Sequence, residues 1–175
     1  MQVPSRARAV IIGGGVVGCS IAYHLGKLGW RDVVLLERKQ LTCGTTWHAA
    51  GLLPLFNMSY SVGQIHKYSV KFYQELQEET GMNVGFRNVS NIRLAQTQER
   101  MDEYRQYAGV ASTIGVQVDF LTPEQVQEIW PLCNPDGLVG AIQHPDDGYI
   151  QPADLTQAMA RGARDRGAEI YRYTT

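Results

Sequence analysis

Gly13, Gly15 and Gly18 follow directly on the apolar run Ala9-Val10-Ile11-Ile12, and a second apolar run, Val33-Val34-Leu35-Leu36, ends in Glu37. Few patterns restrict a chain more. Val17, Ile21, Leu25 and Leu28 recur at helical spacing between the two runs, with Gly29 as a stop. A strand, a G-x-G-x-x-G loop, a helix and a second strand make one unit of a parallel sheet. The first glycine allows a tight turn, the second lets backbone approach a pyrophosphate, and the third lets the helix pack closely on the sheet. The pyrophosphate is expected on the N–H groups of Val16 and Val17, where the helix dipole favours negative charge. Glu37 stands about 20 residues past Gly18, the spacing at which a carboxylate accepts the hydroxyls of an adenosine ribose and repels a 2′-phosphate. The glycine pattern alone does not separate a flavin from a nicotinamide dinucleotide. Both apolar runs are expected to be strands buried on both faces.

Further along, residues 38–58 lack a clean period and are expected to form a loop with a short helix. Val62, Ile65, Ser69, Phe72 and Leu76 mark an amphipathic helix that Gly81 stops. Asn91 to Thr97 is expected as a strand. Met101, Tyr104, Ala108, Ala111 and Ile114 mark a helix closed by Gly115, and Val116 to Leu121 alternates as a half-buried strand. Thr122-Pro123-Glu124-Gln125 has the cap residue, the N1 proline and the capping-box Gln of a short helix that Pro131 ends. Leu138 to Gln143 is expected as a strand, Pro152 to Arg166 as a helix ended by Gly167, and Ala168 to Tyr173 as a last strand.

The 175 residues are 44% hydrophobic and 19% charged, with a net charge of -1, which is enough apolar content for a core. Near-neutral charge offers no electrostatic footprint for nucleic acid or an anionic membrane. No apolar run has the length of a membrane span. Residues Met1 to Arg8 are basic but short, with no secretory apolar region and too little length for a transit peptide. Cys19, Cys43 and Cys133 are widely spaced and are expected as free thiols in a reducing compartment, cytoplasmic or alternatively the mitochondrial matrix. No metal site is expected; Asp146-Asp147-Gly148 has the composition of a turn.

The run Gly44-Thr45-Thr46-Trp47-His48-Ala49-Ala50-Gly51-Leu52 narrows the reading. With Ala9 to Gly18, Leu35-Leu36-Glu37-Arg38, Ser90-Asn91-Ile92-Arg93-Leu94-Ala95 and Asp147-Gly148-Tyr149-Ile150-Gln151-Pro152, it resembles the dimethylglycine and sarcosine dehydrogenases, within the D-amino-acid-oxidase-like flavoproteins. The resemblance spans nearly the whole chain. It implies FAD, carried covalently through His48, with Gly44 to Leu52 lining the pyrophosphate and flavin edge. Thr45 and Thr46 offer hydroxyls there, and Ala49, Ala50 and Gly51 let the ring approach backbone. Trp47 is expected to pack in the core beside this loop, and Arg38 to neutralise or stack on the adenosine side or to lie in solvent. Cys19 is expected to pack against the sheet. His24, His66 and His144 lack comparable context. Glu75, Glu78 and Glu79 are expected to form a solvated helix face.

By resemblance the fold class is α/β, a Rossmann-like FAD-binding domain with an inserted α+β portion of a substrate domain, incomplete. Residues 1–84 are its first part, 85–150 the substrate-domain portion, and 151–175 the return. The implied activity is oxidation of the N-methyl group of dimethylglycine or sarcosine, with tetrahydrofolate involved only where a longer form carries a folate-binding module. The implied enzyme is much longer, so the chain is expected to be a truncated form. No catalytic base or substrate carboxylate clamp is identified in these residues, and they name no electron acceptor. Two other readings stand beside this one. A non-catalytic regulatory or interaction paralogue gives His48 no evident task, and an NAD-linked dehydrogenase leaves residues 44–52 unexplained.

Overall fold

The computed structural model of the chain describes residues 3–175; Met1 and Gln2, the start of the basic segment, lie outside them. The elements run β1 (Ala9–Ile12), α1 (Val16–Lys27), β2 (Val33–Glu37), a 3-10 turn (Thr45–His48), β3 (Leu52–Leu53), α2 (Tyr60–Thr80), β4 (Arg87–Asn88) and β5 (Asn91–Ala95). They continue with α3 (Gln98–Ile114), β6 (Asp119–Leu121), α4 (Pro123–Ile129), β7 (Gly140–His144), β8 (Gly148–Tyr149), α5 (Pro152–Asp165) and β9 (Glu169–Arg172). The chain divides into two compact units. One holds the residues up to Gly51, Phe72–Phe86 and Ile150–Thr175; the other holds Leu52–Lys71 and Arg87–Tyr149.

In the first unit β1, β2 and β9 form a parallel sheet with β2 in the middle. The alanine- and glycine-rich faces of α1 and α5 pack against each other, with Ala22, Ala158 and Ala163 buried. The third fingerprint glycine explains the close fit of α1: a Cβ on Gly18 would overlap the carbonyl oxygen of Gly13. Val33, Val34 and Leu35 are buried as expected for a central strand. The expectation fails for β1. Ile11 is buried, but Val10 is exposed and Ile12 is 88% exposed. Burial alternates along β1: the face that carries Ile11 is packed, and the face that carries Val10 and Ile12 is uncovered.

The second unit is built on the antiparallel sheet β5-β7-β6. On one face Ala95 and Ile142 pack with Met101, Tyr104, Tyr107 and Ala111 of α3. On the other, Ala141 packs with Val126 of α4 and with Cys133. Tyr107, not Ala108, completes the buried stripe of α3. The α4 capping box is present in full, with Thr122 and Gln125 each bonding the other's backbone. Helices α2 and α3 end at Gly81 and Gly115, both left-handed, as the pattern predicts. β1 and β2 have the expected bounds; β5, β6 and β9 are shorter than expected, and β7 runs Gly140–His144 rather than from Leu138. The two-residue strands β3, β4 and β8 carry no sequence signal. Their partners, Leu52 with Tyr149 and Arg87 with Tyr149, meet only through tertiary pairing.

Among the described residues no helix is long and apolar enough to cross a membrane, and no group of three metal-ligating side chains gathers.

Candidate nucleotide-binding site

The end of β1, the start of α1 and the segment after β2 enclose a groove of about 740 Å³ in the first unit. Of the residues singled out from sequence, Gly13, Gly15, Val16, Val17, Gly18, Glu37, Arg38, Gly44, Thr45, Thr46 and Ala49 line it. Trp47, His48, Ala50, Gly51 and Leu52 are not among its lining residues. The glycines leave backbone, not side chain, along one wall, as a bulky diphosphate requires.

Glu37 is held by two backbone donors. Gly14 N–H donates to one carboxylate oxygen at 2.7 Å and Lys39 N–H to the other at 2.8 Å. The Gly14 bond first, then the Lys39 bond and Arg38, hold its pKa below the usual carboxylate range against an opposing burial penalty. The Cys43 thiol also donates to the oxygen that takes Lys39, at 4.0 Å, while the oxygen bonded to Gly14 keeps a lone pair open toward a ribose.

Val16 is not a free donor. Its N–H donates to the Thr46 hydroxyl at 2.9 Å, so a side chain 30 residues away caps α1. The amide expected to meet a pyrophosphate directly is therefore screened by Thr46. Cys19 packs against the Gly14 carbonyl, and burial pushes its thiol up to about 11; it is no nucleophile.

The turn that carries His48 is pinned at both ends. Thr42 N–H donates to the Gly14 carbonyl at 3.0 Å, and Trp47 N–H to the Thr42 carbonyl at 3.1 Å. Downstream, Ile150 N–H donates to the Gly51 carbonyl at 2.9 Å. Gly51 has a positive φ of 79°, and an added Cβ would overlap the Ile150 carbonyl oxygen. His48 itself is exposed. Trp47 is 71% exposed, contrary to the expected core packing, because the 3-10 turn directs buried Thr46 inward and its neighbour outward.

Two further expectations change. Glu79 does not belong to a purely solvated face: it accepts from Tyr23 at 2.6 Å and pairs with Arg166 at 2.7 Å, tying the end of α2 to α1 and the end of α5. Asp147, expected only as a turn residue, is a buried hub of the second unit. Its carboxylate accepts from Leu55 N–H at 2.8 Å, and its carbonyl from Ser90 N–H at 2.9 Å and Val89 N–H at 3.2 Å. Burial lifts its pKa to about 6, against the opposing Leu55 bond and the Arg93 charge, with Asp146 adding to the rise. Burial lowers His144, bonded to the Tyr107 hydroxyl, to about 4; Arg93 adds to this and Asp119 opposes it. Asp147 opens one of the runs that carry the family resemblance, but nothing in the sequence marks its burial or that of His144, since a DDG turn and a lone histidine are common surface features.

This groove at a strand–glycine–helix turn, with an acid held at the end of the next strand, defines a dinucleotide-binding protein. Residues 8–175 match the family of FAD dependent oxidoreductases, called DAO, and the chain belongs to that family. It is 48% identical over 162 residues to the rat mitochondrial dimethylglycine dehydrogenase, covering 93% of this chain and 19% of that one. Human mitochondrial sarcosine dehydrogenase is 39% identical over 169 residues, 96% of this chain and 18% of its own. The mouse mitochondrial pyruvate dehydrogenase phosphatase regulatory subunit is 38% identical over all 175 residues and 20% of its own length. Among solved structures, L-proline dehydrogenase from P. horikoshii superimposes with a TM-score of 0.90 at 27% identity, covering 98% of this chain and 45% of that one. The chain thus spans about a fifth of the length of these three curated relatives.

Proposed function

We propose that the chain is the nucleotide-holding part of a flavoenzyme that oxidises the N-methyl group of a glycine derivative, dimethylglycine or sarcosine. One observation carries the reading: the glycine-walled groove has Glu37 held ionised along it and, on the turn whose Thr46 lines it, an exposed imidazole at His48. The residues suit FAD. Gly13, Gly15 and Gly18 would pass the diphosphate, Glu37 would accept from the adenosine ribose, and Gly44 to Ala50 would run beside the flavin edge. FAD, when bound, supplies the two-electron acceptor for the methyl C–H bond. The protein's share is to hold and orient: Glu37 by hydrogen bonding, Thr46 at the α1 end, and His48 as the covalent tether. Tetrahydrofolate belongs to the reading only where a folate-binding module accompanies this segment. The mitochondrial relatives favour the mitochondrial alternative over the cytoplasmic expectation.

The test is to incubate the chain with FAD, denature it in acid and look for protein-attached flavin fluorescence. Attachment that disappears in His48→Ala, with reversible binding retained, is the expected result. Absence of flavin on the wild-type chain would overturn the tether.

The similarity to a phosphatase regulatory subunit over the full 175 residues supports a second reading, a non-catalytic paralogue. It predicts no saturable FAD binding by calorimetry. An NAD-linked dehydrogenase would instead bind NADH in preference to FAD in the same titration.

A further inference from the structure

Thr46 is used in a way that neither the glycine pattern nor the histidine run suggests. It is 6% exposed, and its hydroxyl oxygen takes the Val16 N–H at 2.9 Å. Gly15, at the N-cap of α1, offers no side-chain cap of its own. A hydroxyl can also donate its hydrogen. Among the described residues none accepts it, and Thr46 lines the groove. That hydrogen is available to an acceptor lying at the helix N-terminus, where the dipole favours an anion. Thr46 stands in the same 3-10 turn as His48, two positions before it. The side chain that caps α1 therefore also sets where the His48 segment starts.

We propose that Thr46 is a positioning residue: by joining the Val16 N–H to the bound diphosphate, it registers the His48 turn against the flavin and governs the rate of covalent attachment. The inference rests on the tether reading of His48. In that step a ring nitrogen of His48 bonds to the flavin 8-methyl carbon. The imidazole N–H and one methyl C–H bond break. Their two protons and two electrons end on the reduced flavin, which dioxygen reoxidises with release of hydrogen peroxide.

Thr46→Val removes the hydroxyl at nearly constant shape. Val16→Pro removes the donor instead; proline suits the first helical position, and the extended Gly15 (φ -81°, ψ -176°) suits the residue before it. The 175-residue chain and its variants are mixed with FAD in air, and attached fluorescence is followed against time. Reversible FAD affinity is measured in parallel on the His48→Ala background. Both variants are expected to slow attachment by roughly 10- to 100-fold, the scale of a small misplacement of reacting groups. Losing this bond is expected to weaken affinity by about 10-fold, so attachment is compared at FAD concentrations that saturate each variant, and Thr46→Ser is expected to restore the rate. Attachment at the wild-type rate in folded Thr46→Val or Val16→Pro protein overturns the inference and leaves the tether standing. So does a loss of rate in proportion to lost affinity. A wild-type chain that never attaches FAD overturns both.

Discussion

Gly18 shows how much one hydrogen atom in place of a methyl group decides. An added Cβ would overlap the Gly13 carbonyl oxygen, which is backbone and cannot swing aside. Gly18→Ala is therefore expected to cost about 1–3 kcal/mol, the usual penalty of overpacking, read as a lower urea midpoint. ADP affinity should fall with it, because the same shift opens the turn that carries Gly13 and Gly15. The glycines and Glu37 were legible from sequence because their roles depend on backbone shape and on spacing along one chain segment. Thr46 was legible only as a hydroxyl near a phosphate. Its bond to Val16 joins positions 30 residues apart, and no local pattern records that pairing. Trp47 departs from expectation for a related reason: an indole is apolar enough to be expected inside, while the turn decides which way it points.

At the scale of elements, local chemistry wins where the element is capped by its own residues. Thr122→Ala removes one half of the α4 capping box and is expected to cost about 1 kcal/mol in denaturant unfolding, with Thr122→Ser nearly neutral. The turn between β7 and β8 behaves differently, because buried partners from distant segments set it. Asp147 ionises near 3.8 unfolded and near 6 folded, so the folded state keeps a proton that the unfolded state has lost. Its burial therefore takes away stability as pH rises through that window. His144 is shifted from 6.5 to about 4, so its contribution is lost as pH falls through 6.5 toward 4. The two slopes oppose each other, and the wild-type chain is expected to show little pH dependence from this pair. Asp147→Asn should leave the His144 slope alone, with stability dropping on acidification. His144→Asn should leave the reverse slope, with stability dropping from pH 4 to 6. Each change is on the order of 2 kcal/mol, measured by urea unfolding across that range.

For the whole molecule, the open edge of β1 is the feature with consequences in solution. Val10 is exposed on the outer strand of the parallel sheet, while exposed Ile12 and, from α1, Val17 and Ile21 line the groove. An apolar edge strand invites pairing with another chain. Val10→Lys is expected to lower self-association, seen as reduced light scattering at high concentration, with the melting temperature nearly unchanged. The parallel β1-β2 unit, the helices α1 to α5 and the acidic residue at the end of β2 were readable because helical and strand periods and glycine stops are local. By itself the sequence determined a strand, a glycine loop and a helix, with an acid at the end of the next strand and a histidine run just downstream. Only the tertiary structure decided that Thr46 caps α1, that Gly51 is held to Ile150, that Asp147 and His144 are buried, and that three two-residue strands pair. Those outcomes depend on contacts between residues far apart in the chain, whose cost and gain are settled only when the segments meet.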